Sequence, residues 1–186
     1  NFDYNVVYMD QFSRYNKILV VPGAQNPLRQ PSIEALSELC KLFAHDHVQF
    51  RIIRYQEPRK YIDTLTESLN GEISIKVIQN LSQDEYVGQF RWPQLVISAD
   101  SSAQHIASYF DIPSIVLFGP NRPLVWGPWA SSSRSAVIQN VNCPFYPCDQ
   151  KRCYIKRPCI GNIKAVFIKN CIIDQKGVKS ISQRKK

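Results

Sequence analysis

Leu95-Val-Ile-Ser-Ala-Asp-Ser-Ser-Ala-Gln-His-Ile-Ala-Ser-Tyr-Phe-Asp-Ile-Pro-Ser-Ile-Val-Leu117 is the stretch on which the fold turns. An apolar run at Leu95-Val-Ile97 is followed by a helix from about Ser102 to Phe110, and then by a second run, Ser114-Ile-Val-Leu117. Two strands joined by a helix of that length lie parallel, because the crossover returns the chain to the starting edge of the sheet. The same rhythm runs upstream. Ile18-Leu-Val-Val21 is all apolar and stops at Pro22-Gly23, as a buried parallel strand entering a turn does. Pro31-Ser-Ile-Glu34 opens a helix with Ile33, Leu36, Leu39 and Phe43 at helical spacing and Ser32 or Pro31 near its start. Val48 to Ile53 reads as the next strand, Arg59 to Leu69 as a helix closed by Asn70-Gly71, and Ile73 to Ile78 as a third strand. Ser82-Gln-Asp-Glu85 has the form of a capping box. The expectation is an α/β fold, a Rossmann-like doubly wound parallel sheet of at least five strands, with Asp100 and Phe118 both at its carboxyl edge.

Composition is compatible with this. The chain has 186 residues, 44% hydrophobic and 20% charged, close to the soluble globular average and far from disordered or fibrous classes. No apolar run reaches the roughly 18 residues that span a bilayer, and the start lacks a basic region before an apolar one, so the chain is expected to be soluble and unexported. Its only Met is Met9, which suggests a fragment or processed piece. The net charge of +8 is uneven: residues 143–186 hold 11 Lys/Arg against Asp149 and Asp174, or +9, while residues 1–142 come to −1. A basic segment of this kind suits an anionic membrane, nucleic acid or anionic glycan, or it is a solvated tail. Six cysteines do not form a secreted disulfide pattern, and a reducing cytoplasm is the expectation.

Chemistry in an open parallel sheet gathers where strands give way to helices. Three such exits stand out. Val21-Pro-Gly23-Ala-Gln-Asn26 is a Gly-containing turn whose following amides could meet a phosphate. Ser98-Ala-Asp100-Ser101-Ser102-Ala-Gln-His105 puts a carboxylate at a strand exit, hydroxyls where an N-cap belongs and an imidazole in the first helical turn. That nest suits a pyrophosphate, with Asp100 facing a sugar hydroxyl or amine; the plainer reading is a capped helix with surface polar groups. Leu117-Phe-Gly119-Pro-Asn-Arg122-Pro-Leu-Val-Trp-Gly-Pro-Trp129 is a rigid, aromatic loop with a fixed positive charge.

Asp100-Ser-Ser-Ala-Gln-His105, Ile112-Pro-Ser-Ile-Val-Leu-Phe-Gly-Pro120 and Trp126-Gly-Pro128 together resemble the glycosyltransferase family 9 pattern of the lipopolysaccharide heptosyltransferases. The resemblance covers residues from about 17 to 160, with Val21-Pro-Gly-Ala matching the family's His-Pro-Gly-Ala turn. It implies the C-terminal half of a GT-B type glycosyltransferase, binding ADP-heptose or a similar nucleotide sugar and needing no cofactor. The implied donor-binding residues are Asp100, Ser101, Ser102, His105, Gly23, Arg29, Gly119 and Arg122. The catalytic base and the lipid-linked glycan acceptor fall to an N-terminal half or a partner chain. The implied location is cytoplasmic, peripheral to the inner membrane. By region, residues 1–16 read as a linker, 17–142 as the nucleotide-sugar-binding domain and 143–186 as a Cys-rich basic segment.

The chain departs from the family pattern at several places. Ser102 stands where the family has Gly, Leu28 where it often has Lys, and Gln30 where it has Trp, while Arg29 offers a charge one position away. The ribose-binding acid is unassigned, and Gln79-Asn80 is a candidate for the base pocket. Cys143, Cys148, Cys153 and Cys159 are spaced x4, x4, x5 rather than in the two-residue knuckles usual for metals. They read as reduced, partly buried thiols, with a metal the lesser reading. Two other functions fit less well: a basic nucleic-acid-binding protein with a metal on the cysteines, and a nucleotide-sugar epimerase-like domain. No nucleic-acid partner is expected, because the C-terminal segment lacks the aromatic and Gly signatures of common RNA-binding modules.

Overall fold

The computed structural model describes residues 15–44, 47–54, 59–69, 71, 73–129, 135–139, 143–148, 152–155 and 159–163. Six strands form one sheet: β1 (Lys17–Val21), β2 (Gln49–Ile53), β3 (Ser74–Ile78), β4 (Leu95–Ala99), β5 (Ser114–Phe118) and β6 (Ser135–Gln139). Their order is β3-β2-β1-β4-β5-β6, and every pairing is parallel. Interleaved are α1 (Ile33–Lys41), α2 (Arg59–Leu69), α3 (Gln83–Gly88), α4 (Ser102–Tyr109) and the short α5 (Pro123–Trp126). The order reverses between β1 and β4, the switch point at which such sheets open a crevice.

Local chemistry explains the helix starts. Ser32 caps α1, its Oγ accepting from the Ala35 amide at 3.2 Å. Ser82 and Glu85 make the reciprocal capping box of α3. Gly71, just past α2, takes φ +83°, a left-handed conformation that costs glycine nothing.

The interior has two layers. On one face Ile18, Val20, Phe50, Ile52, Leu95, Ile97, Ile115 and Leu117 pack under Leu36, Leu39 and Phe43 of α1 and its end and Ile62, Leu65 and Leu69 of α2. On the other, Leu19, Val21, Ile53 and Val96 meet Tyr86 and Phe90, with Ala103 and Ala107 of α4. Strands β4 and β5 are buried along their whole length, as continuous apolar runs in a sheet covered on both faces should be. At the outer edge, β3 leaves Ser74, Lys76 and Val77 exposed.

Asp100 follows β4, and its amide donates to the Leu117 carbonyl at 3.1 Å; Phe118 ends β5. Both therefore stand at the carboxyl edge. Two elements differ from the sequence reading. The sixth strand was not expected, and part of the Gly-, Pro- and Trp-rich loop is α5, with Pro123 at its first turn. The cysteine-rich segment is joined to the domain: Cys159, Ile160 and Ile163 belong to the same core cluster as the buried faces of α1 and α2. The apolar stretch Ile163 to Ile173 lies outside the described residues beyond its first position, and the expected linker 1–16 lies outside them up to residue 14.

Candidate functional site

The site is built at the adjoining exits of β1 and β4. After β1, Pro22 and Gly23 lead into Asn26, whose Oδ1 accepts from the Leu28 amide at 2.9 Å and whose carbonyl accepts from the Arg29 amide at 2.9 Å. These bonds close a 3-10 turn over Pro27–Arg29 and aim Arg29 across the crevice. Its Nη1 lies 3.5 Å from the Asp100 carbonyl. Opposite, α4 begins with Ser101 as N-cap, its Oγ accepting from the Ala103 amide at 3.4 Å, and Ser102 sits exposed at the first helical position. A helix start of this kind directs free amides and a positive dipole end into the crevice.

Asp100 is 2% exposed. Its carboxylate is turned inward, and protein side chains occupy both oxygens. Asn121 Nδ2 donates to Oδ2 at 2.6 Å and Gln104 Nε2 donates to Oδ1 at 3.2 Å. Gln104 also donates to the Trp126 carbonyl at 2.9 Å. Asp100 and Gln104 thus clasp both ends of the loop after β5 onto the start of α4. Burial pushes the Asp100 carboxyl above the usual aspartate range, while the charge on Arg29 and the bonds from Asn121 and Gln104 pull it back.

Gly119 is where two exits touch. A Cβ there would stand 2.9 Å from the Leu28 carbonyl and 3.5 Å from the Arg29 Cα, so only glycine lets the Arg29 turn approach. Leu28, at the position often Lys in the family, points into an apolar cavity instead, and Arg29 supplies the charge at the crevice. His105 packs its ring against Trp129 at 4.8 Å between centroids, and its Nδ1 is buried without a hydrogen-bond partner. Burial holds its pKa below the ordinary histidine value, against the pull of Asp100. Arg122 stands at the N-cap position of α5 without a side-chain capping bond and is exposed on the loop that Asp100 holds. Gln79 and Asn80 lie at the same edge, past β3, where Arg54 Nη1 donates to Gln79 Oε1 at 2.9 Å.

Cys143, Cys148, Cys153 and Cys159 line one cavity of about 20 Å³ with Leu28, Pro120 and Phe145, room for roughly one water. Burial raises the Cys159 thiol, and the neighbouring Cys143 and Cys148 add to it.

Around Asp100 the structure therefore gathers Arg29, Ser101, Ser102, His105 and Gly119, with Gly23 at the next strand exit and Arg122 at the rim. Sequence reasoning assigned no role to Asn121, Gln104 or Gln139. Gln104, four residues after Asp100 on a helix, had a legible signal, since side chains at that spacing meet. Asn121 and Gln139 depend on contacts about 20 residues away and had none.

Residues 8–157 match the model of glycosyltransferase family 9 (heptosyltransferase). Lipooligosaccharide heptosyltransferase 2 of Campylobacter jejuni is 31% identical over 71 residues, 38% of this chain and 22% of that protein. The structure of E. coli ADP-heptose lps heptosyltransferase II superposes with a TM-score of 0.66 at 18% identity, covering 86% of this chain and 46% of that one. TibC of enterotoxigenic E. coli, a dodecameric iron-containing heptosyltransferase solved with ADP-D-beta-D-heptose, superposes with a TM-score of 0.58 at 11% identity, over 90% of this chain and 46% of that one. The chain thus spans less than half the length of these relatives. Among the described residues no three His, Cys, Asp or Glu side chains are grouped closely enough to hold an ion. Shared fold, shared motif spacing and a family match over most of its length agree: this chain belongs to glycosyltransferase family 9, the heptosyltransferase family.

Proposed function

We propose that the chain is the donor-binding domain of a heptosyltransferase-type enzyme. It takes a nucleotide diphosphate sugar such as ADP-heptose at the β1 and β4 exits, for transfer of the sugar to a lipopolysaccharide-type acceptor. The observation that carries this reading is the convergence of Arg29, the α4 N-terminus and the clasped loop on the single switch point of the sheet. In the transfer, the bond from the sugar's anomeric carbon to the diphosphate breaks as the acceptor oxygen bonds to that carbon, and negative charge collects on the leaving nucleotide. Amides near Ser101 and Ser102, with Arg29 and Arg122, are pre-set to receive that charge. Asp100 holds the Asn121 loop against α4, and His105, uncharged at neutral pH, packs against the Trp129 platform. The base that takes the acceptor proton belongs to an N-terminal half, so this chain alone binds donor without turnover. No cofactor is required, because fixed cations and helix amides do the electrostatic work.

Calorimetric titration with ADP and ADP-heptose tests the reading. Wild type is expected to bind both. Asp100→Ala should weaken ADP-heptose and ADP alike, by about tenfold to hundredfold, because the loop held through Asn121 and Gln104 is released. No binding of either nucleotide by wild type would overturn the proposal.

A lipid-linked acceptor would bring the basic segment near an anionic membrane surface, at the cytoplasmic face. No helix among the described residues is long and apolar enough to cross a membrane, so that contact would be electrostatic and peripheral. Sedimentation with anionic vesicles should show binding at low salt that high salt abolishes; binding indifferent to salt would dismiss the contact.

A further inference from the structure

We infer that Gln139 and Tyr146 are positioning residues of the donor site, acting through the loop that carries Asn121; the inference rests on the donor-binding reading above. The β5–β6 ladder ends at the pair Phe118 and Gln139. Beyond it the chain after β5 turns away and its carbonyls lose their strand partner. The Gln139 side chain takes over: Nε2 donates to the Gly119 carbonyl and to the Asn121 carbonyl, each at 2.8 Å. Its Oε1 accepts from the Tyr146 hydroxyl at 3.2 Å, which also stands 3.5 Å from the Asn121 carbonyl. Gln139 is 8% exposed, so these bonds form largely away from competing water.

The arrangement demands an amide. Two carbonyls converge on one nitrogen, and a hydroxyl needs an acceptor on the other terminal atom; of the side chains this size, only the amide offers two donors on one atom and an acceptor beside them. A carboxylate would set an oxygen against two carbonyl oxygens. With the Gly119 and Asn121 carbonyls both held, Asn121 presents Nδ2 to Asp100 at 2.6 Å. The support continues into the cysteine-rich segment, which contributes Tyr146 and the Cys148 amide, the latter donating to the Pro120 carbonyl at 3.2 Å. A run of contacts thus leads from that segment through Gln139 and Asn121 to Asp100 and the start of α4. Neither Gln139 nor Tyr146 needs to touch the nucleotide sugar.

The test uses the full chain with ADP and ADP-heptose as probes. Tyr146→Phe, which removes one oxygen, should weaken ADP-heptose binding about two- to tenfold, the range of one neutral hydrogen bond. Gln139→Glu should weaken it about tenfold or more, since two donors are lost and a charge is buried. A purely structural role would not move the second readout, the proton NMR signals of the Asn121 side-chain amide. In wild type they should be slow to exchange and titrate with Asp100; in both variants they should exchange faster while backbone amides of α1 and α2 stay protected. Wild-type binding combined with unchanged affinity and unchanged Asn121 signals in Tyr146→Phe would overturn the inference, even if Gln139→Glu failed to fold. Absence of binding by wild type would instead sink the donor reading, and this inference with it.

Discussion

Gly119→Ala offers a direct measure of how tightly the two strand exits are packed. The added methyl would lie 2.9 Å from the Leu28 carbonyl, closer than real Cβ contacts allow, and 3.4 Å from the Ile160 Cβ. Neither neighbour is the free end of a flexible side chain: one is backbone and the other is a buried core residue. The turn carrying Arg29 must move, and overpacking of this kind costs about 1–3 kcal/mol. Alanine recovers about 0.4–1 kcal/mol through the less flexible unfolded chain, leaving a net loss of about 0.5–2 kcal/mol. For a chain of this size that is about 1–8 °C in melting temperature. Gly88 supplies the control, because it ends α3 with φ −58° and nothing within 4 Å of its would-be Cβ. Gly88→Ala should therefore stabilise, by about 0.5–1 kcal/mol. Urea unfolding followed by circular dichroism would compare the two, and ADP-heptose titration should show weaker binding only for Gly119→Ala. Equal stabilities for the two variants would refute the close-approach argument.

Removing the α3 cap through Ser82→Ala should cost about 1 kcal/mol in urea unfolding at pH 7. Glu85 is held below its usual pKa by bonds to Ser82, so its contribution is present above pH 4.5 and lost as pH falls through the lower folded value; Glu85→Gln should erase that dependence in unfolding curves taken at stepped pH. His105 is held below 6.5, so the neutral ring stabilises the fold above that pH and the benefit is lost as pH falls through the folded value. Because the charged ring would quench Trp129, the wild-type minus His105→Gln fluorescence should drop with a midpoint below 6.5, and a midpoint above it would contradict the packing. Asp100 behaves oppositely: its raised pKa makes the protonated form favourable to folding, an advantage complete below pH 3.8 and lost as pH rises through the folded value. Asp100→Asn should flatten that part of the stability profile relative to wild type, and parallel profiles would refute the assignment.

The regular elements were legible because their signals are local. Arg59 to Leu69 ends where expected, since Gly71 supplies the left-handed residue past the helix, and β4, α4 and β5 follow from alternating apolar runs and a serine cap. Strand β6 was missed because Ala136-Val-Ile138 is a short apolar run between polar neighbours, and only a partner strand makes it a strand. The site was legible as a location but less so as a set of roles. Position at a strand exit follows from the pattern around Asp100, whereas the partners of its carboxylate come from Asn121, brought near by a loop whose path no periodicity encodes. Likewise the change of composition at Cys143 suggests a boundary, yet Ile160 and Ile163 enter the core.

That last feature constrains how the basic charge can be manipulated. Residues 143–186 hold the +9 excess, but the same stretch contributes Cys159, Ile160 and Ile163 to the interior and Tyr146 to the loop support. A chain cut after residue 142 would not be the same domain with less charge. It would expose the apolar core surface that Cys159, Ile160 and Ile163 cover, and aggregation of such a truncated protein would say nothing about membranes. Deleting the whole segment therefore cannot separate charge from core. The electrostatic role has to be probed by substitution, exchanging exposed Arg152 or the terminal Gln183-Arg-Lys-Lys186 for neutral residues while the cysteines and isoleucines stay in place.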